Sequence, residues 1–187
     1  MRLPILLAAL LAMAMPAAAQ QAPSGVLLTG RAQTGTDTRD VRFELFCSQN
    51  GRGTTGLLAI DLHVPRHEQL APVFDFDPFE GPDANAGQRT RLETPGGGNA
   101  RFAVSGSIGV AEDVPFVFSL AAARRRDAPR LAALARVLRP LTAGPSQLVW
   151  TQENTRRGGP AIVARLDGSA EDSVRLRTLL APCLAAP

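Results

Sequence analysis

VRFELFCSQNGRGTTGLLAIDLHV, residues 41–64, decides the fold class. In its first part Val41, Phe43, Leu45 and Cys47 fall on one side of an extended chain, with Arg42, Glu44 and Phe46 on the other. In its last part Leu58, Ile60, Leu62 and Val64 repeat the same two-residue period. NGRGTTG between them supplies the glycines a turn needs. The reading is an antiparallel hairpin with a long Gly-rich loop.

The pattern recurs downstream. TRLET (90–94), the turn PGGGN and ARFAVSGS (100–107) predict a second hairpin. PFVFSLA presents Phe116, Phe118 and Leu120 on one face, and QLVWTQ with PAIVARL predicts a third hairpin across ENTRRGG. Trp150 on that hairpin reads as core or sheet surface. About seven short strands separated by Gly, Pro and Asn turns predict a mainly antiparallel sheet, sandwich-like or strongly bent.

Two helices make the class α+β. In DAPRLAALARVLRPL, Asp127 is placed to cap, Pro129 suits the first turn, and Leu131, Leu134, Leu138 and Leu141 share a stripe. In SAEDSVRLRTLLAPC, Ser169 and Asp172 form an S-x-x-D capping pattern, Leu176, Leu179 and Leu180 make the apolar stripe, and Pro182 is expected to end the helix.

The chain opens with one arginine, an apolar run and the small residues Ala17, Ala18 and Ala19. That layout predicts a signal peptide over residues 1–19, hence a periplasmic or secreted protein. Residues 20–40 read as a polar, partly ordered leader, and residues 41–187 as a single β-rich domain. No later apolar run is long enough for stable membrane insertion. All 20 basic side chains are arginine, yet the net charge is only +3, which argues against a nucleic-acid partner. The only two cysteines, Cys47 and Cys183, read first as a disulfide because an even count in an oxidising compartment pairs, with two buried free thiols as the alternative; their expected inward faces are consistent with the bridge.

Chemistry is sparse. FDFDPFEGPD, residues 74–83, carries Asp75, Asp77, Glu80 and Asp83. It reads either as an irregular calcium loop or as a strand with an acidic outer face, stopped by Pro78. EF-hand spacing fails at Phe79, and the placement of Phe74, Phe76 and Phe79 stays open. His63 and His67 have H-x3-H spacing, but Pro65 between them opposes helical convergence on zinc. No nucleophile motif occurs, so no catalytic residue is assigned. Glu44, Asp61 and Glu93 could serve as an acid–base pair if the fold set two of them opposite each other. Arg124, Arg125 and Arg126 are either an anion site or a solvated helix entrance.

An early strand ending in a cysteine (FELFC) and a late apolar strand before a helix ending in another (IVARLDGS…LRTLLAPC) resemble exported accessory proteins of type VI secretion, of the VasI and TagO kind. The resemblance implies a β-rich envelope protein without catalysis. The expected function is a non-catalytic envelope or secreted accessory that binds a protein partner or a surface polymer, with no cofactor other than calcium. A calcium-dependent binding module and a carboxylate-based hydrolase are the alternatives.

Overall fold

A computed structural model of the protein describes residues 25–49, 55–81, 84 and 86–184. The expected signal peptide and Asp83 lie outside the described residues. The chain runs β1 (Gly25–Thr34), β2 (Asp37–Gln49), β3 (Thr55–Val64), β4 (Thr90–Thr94), β5 (Gly98–Phe102), β6 (Ser105–Ile108), β7 (Phe116–Ala123), α1 (Ala128–Leu138), β8 (Ser146–Gln152), β9 (Ile162–Gly168) and α2 (Ala170–Leu184). The nine strands among the described residues form one sheet in the order β5-β4-β8-β9-β1-β2-β3-β7-β6. Every neighbouring pair is antiparallel.

The α+β class and the antiparallel sheet are as read from the sequence, with nine strands rather than about seven. The two extra strands have physical origins. Residues 25–40, expected as a leader, instead supply β1 and the start of β2, paired from Gly25↔Phe46 to Thr34↔Asp37. ARFAVSGS is not one strand: it breaks at Ala103 and Val104 into β5 and β6, which lie at opposite ends of the strand order. Phe102 and Ser105 are three Cα steps apart, so about 11 Å is the most that can separate them. The two edges of the sheet must therefore approach each other. The sheet is curled, and its concave face encloses the core.

That face is built from the period-2 residues. Val41, Phe43, Leu45, Leu58, Ile60, Leu62, Val64, Phe118, Leu120, Leu148 and Trp150 are all buried. Gly30 is required here because the Phe43 ring occupies the place of a side chain: a Cβ would meet it at 2.6 Å. α1 fills the space between the sheet's ends, touching β4 and β5 on one side and β3 and β7 on the other. Thr94 Oγ1 donates to Val137 O at 2.6 Å, and Arg130 Nη2 donates to Ala103 O at 2.6 Å, fixing α1 to both β4 and the β5–β6 crossing. Its start differs from expectation, since Asp127 makes no side-chain cap bond and only its carbonyl receives Leu131 N.

α2 packs on β1, β2 and β3. Its capping pattern forms as read: Asp172 Oδ2 accepts from Ser169 N, and Ser169 Oγ accepts from Asp172 N. Pro182 does not end the helix, which continues to Leu184. Cys183 and Leu184 are buried against the core, and that packing outweighs the one backbone donor a proline lacks. The Cys47–Cys183 disulfide joins β2 to this last turn, with Cα atoms 6.0 Å apart.

The described part of FDFDPFEGPD, residues 74–81, is not a strand. Residues Asp77–Phe79 form a short 3-10 helix with Pro78 in its first turn. The alternation survives in another form: Phe74, Phe76 and Phe79 are buried, and their rings lie 4.8 to 6.2 Å from one another or from Phe116 and Phe118.

Candidate functional site

The convex face of β2, β3 and β7 is where the strand registers gather reactive groups. One row across the sheet reads Leu27, Glu44, Asp61, Ser119 and Ser105. The next reads Thr29, Arg42, His63, Val117 and Ser107. These are the outward positions of the alternation that buries Phe43, Leu62 and Phe118. Opposed residues on adjacent strands hold their Cβ atoms about 5 Å apart. Side chains separated by 17 residues in sequence, Glu44 and Asp61, are thereby direct neighbours.

The groups are paired and partly withdrawn from water. Asp61 accepts a hydrogen bond from the Ser119 hydroxyl. His63 Nε2 lies 3.2 Å from Glu44 Oε2, with the two side chains only 18% and 30% exposed. Nε2 is nevertheless without a directed hydrogen bond, so the contact is one of opposed charges when the ring is protonated. Arg42 Nη2 reaches Asp113 at 3.0 Å, closing the row toward the β6–β7 connection. Burial, reinforced by the neighbouring Glu44 carboxylate, pushes Asp61 up to about 6 against the opposing Ser119 bond. Burial, with help from Arg42, holds the His63 ring below its ordinary value even though Glu44 pulls the other way. A surface that shifts its ionisable groups by burial and by neighbouring charge marks a candidate site.

The rim of this face is unusually constrained. Arg66 and Val114 both have positive φ, at 50° and 39°, a conformation that is a true outlier for a β-branched residue. They are held against each other: Arg66 N donates to Asp113 O at 2.9 Å, and His67 Nδ1–H donates to Val114 O at 3.0 Å. Arg39, only 9% exposed, anchors the same corner by donating to Pro65 O and Arg66 O. Backbone strain of this kind persists where the surroundings over-determine it, and it collects at functional surfaces.

Asp61 and His63 push stability in opposite directions with pH. Asp61 has a folded-state value above its unfolded one, so burying its charge costs stability above about pH 6; the cost fades as pH falls toward the unfolded range. His63 has a lowered value, so its cost appears as pH falls below the ordinary histidine range. Asp61→Asn keeps an acceptor for Ser119 and offers an amide to Glu44. It is expected to stabilise the fold by about 1–2 kcal/mol at pH 7.5 and by nothing at pH 3.5. Denaturant melts of the variant and the native protein at both pH values check this; a gain independent of pH would contradict it.

The residues named from sequence fall elsewhere. Asp75 accepts from Thr155 Oγ1 at 2.8 Å, Asp77 starts the short 3-10 helix, and Glu80 pairs with Gly106 in an isolated bridge. Among the described residues no group of three or more His, Cys, Asp or Glu side chains is placed to hold a metal ion. Arg124, Arg125 and Arg126 form the turn between β7 and α1, and none of them makes an ion pair among the described residues. His63 and His67 do not converge either: one meets Glu44, the other Val114 O. Glu44 and Asp61, considered from sequence only as half of an acid–base set, are the pair the fold brings together. Glu93 is on β4, well away in the strand order. Arg42, Asp113 and Ser119 were missed, because only the cross-strand register identifies them.

Comparison of the chain with protein-family models, with curated proteins and with solved structures finds no match.

Proposed function

We propose that the protein is an exported, non-catalytic binding protein that meets a partner protein on the convex face of β2, β3 and β7. The observation that carries this is the half-buried Glu44–Asp61–His63–Ser119 patch on the outward face of the sheet, opposite the inward face on which Cys47 is bridged to α2. Polar groups that are desolvated but still uncovered gain most when a complementary surface completes their pairing. The disulfide supports an oxidising, non-cytoplasmic compartment, in keeping with the signal-like opening residues. Among the described residues no helix is long and apolar enough to cross a membrane. The placement of the two cysteines, similar to that of VasI- and TagO-type accessory proteins, supports an envelope role.

Binding is favoured over hydrolysis at the same residues. His63 Nε2 lies 3.2 Å from Glu44 Oε2 without a directed hydrogen bond, and an open sheet face does not exclude water as a catalytic cleft does. Capture from an envelope extract tests the reading. Immobilised native protein is expected to retain a species that Asp61→Arg/His63→Glu loses and that Val174→Ser, on the exposed side of α2, keeps. Retention by all three proteins alike would remove this face from consideration, as would capture of cell-wall polymer alone.

A further inference from the structure

We infer that a second binding site, for a phosphate group, lies at the β8–β9 connection. Residues 153–159 and Ala161 of that connection and Arg89, just before β4, line an open cleft of about 390 Å3. A volume in this range fits a small-molecule ligand or the end group of a larger one, and exceeds what a lone ion needs.

The cleft is built on a fixed frame. Asn154 is only 7% exposed and spends both ends of its amide on the surrounding backbone. Its Nδ2 donates to Val73 O and Pro160 O, and its Oδ1 accepts from Asp75 N and Arg156 N. The chain then turns tightly, with Gly159 N donating to Arg156 O at 3.0 Å and Gly158 at φ 74°. That geometry needs glycine at the third position of the turn. A Cβ on Gly159 would strike the Asn154 amide at 2.4 Å, so the second glycine lets the turn close onto its anchor.

Three arginines line the space: Arg89, Arg156 and Arg157. Two are aimed by the backbone. Arg89 Nη1 donates to Asn154 O at 3.2 Å, and Arg156 Nη1 donates to Ala71 O and Pro72 O at 3.1 and 3.0 Å. Each keeps further N–H donors. Arg157 has no hydrogen-bond or ion-pair partner among the described residues. The one carboxylate in the lining, Glu153, is already matched by Arg101 at 2.7 Å, a bond that holds it below the usual carboxylate range. The cleft is left with uncompensated positive charge on forked donors. That is the donor set a tetrahedral oxyanion with several acceptor oxygens recognises. Thr155 is not part of it, because its hydroxyl is committed to Asp75.

A phosphate on a soluble ester and a phosphate on a lipid headgroup present the same chemistry here. The test is an amide chemical-shift titration of the full oxidised protein with sodium phosphate, at ionic strength held constant with sodium chloride. Saturable shifts are expected in residues 154–161, with apparent Kd raised about fivefold or more in Arg157→Gln and unchanged in Arg125→Gln. Arg157 is exposed and makes no hydrogen bond or ion pair among the described residues, so its variant keeps the fold. Sedimentation with phosphatidylcholine vesicles, with and without phosphatidylglycerol, then assigns the source. Binding that needs phosphatidylglycerol and Arg157 assigns the headgroup; phosphate binding without vesicle binding assigns a soluble ligand. Shifts equal in chloride alone, or lost in Arg125→Gln and kept in Arg157→Gln, would overturn the site.

Discussion

Replacing both members of the Cys47–Cys183 bridge by alanine is expected to cost up to about 5 kcal/mol and to lower the melting temperature by about 10–20 °C. The bridge closes a sequence separation of 136 residues, so it restricts nearly the whole described chain in the unfolded state. Its position adds to the effect. Cys47 continues the inward face of β2, and β2 neighbours β1 and β3 near the middle of the strand order. Cys183 is 3% exposed in the last turn of α2, beyond Pro182. Without the bridge that turn would keep the packing of Leu180 and Leu184 and the hydrogen bond from Arg139 Nη2 to Leu184 O. Parallel melts of the oxidised native protein and the double variant check this; midpoints within about 2 °C would show the sheet and helix hold together unaided.

Phe79→Ala is expected to destabilise the fold by about 3–5 kcal/mol, whereas Asp77→Asn, two residues away, should change it by less than about 0.5 kcal/mol. Phe79 is fully buried. Its ring meets Phe118 edge-on at 5.4 Å and stacks near Phe74 at 6.0 Å. Its backbone is closely packed as well, since a Cβ at Gly106 would press on the Phe116 ring and meet Phe79 O at 3.1 Å. Removing the phenyl group would leave a cavity that aromatic neighbours locked in pairs cannot collapse into. Asp77 offers only a position in the first turn of a three-residue 3-10 helix. Urea denaturation of both variants decides between an aromatic anchor and an acidic site. A small loss for Phe79→Ala with a large one for Asp77→Asn would reverse that assignment.

The legibility of this fold in its sequence follows side-chain size. β2, β3, β7, β8 and β9 carry large apolar residues on alternate positions, so their period is visible. β1 was hidden because its inward positions are Leu28, Gly30, Ala32 and Thr34. The small ones are small for a reason outside the strand: Phe43 needs the space over Gly30. The closure of the sheet was hidden too, because it depends on pairings such as Arg31↔Arg165 and Thr90↔Gln152. The buried Thr90–Gln152 hydrogen bond, at 2.6 Å, looks polar and exposed in sequence. The same limit governed the site. Glu44 and Asp61 could be named as candidates from their residue type. Their neighbourhood with Ser119 and His63 required the β2–β3 and β3–β7 registers, and a long Gly-rich loop between β2 and β3 does not fix a register. The aromatic residues of 74–79 read ambiguously because a proline-started turn can bury three rings without forming a strand.

The convex face of β2, β3 and β7, proposed as the surface that meets a protein, can be probed by placing a photo-crosslinking amino acid at Val117, in the row of Arg42 and His63, and at Val174 on α2, in the cells that make the protein. A discrete cross-linked protein is expected from position 117, weakened by Asp61→Arg, and none from position 174. A cross-link from position 174 with none from position 117 would move the interface off this face.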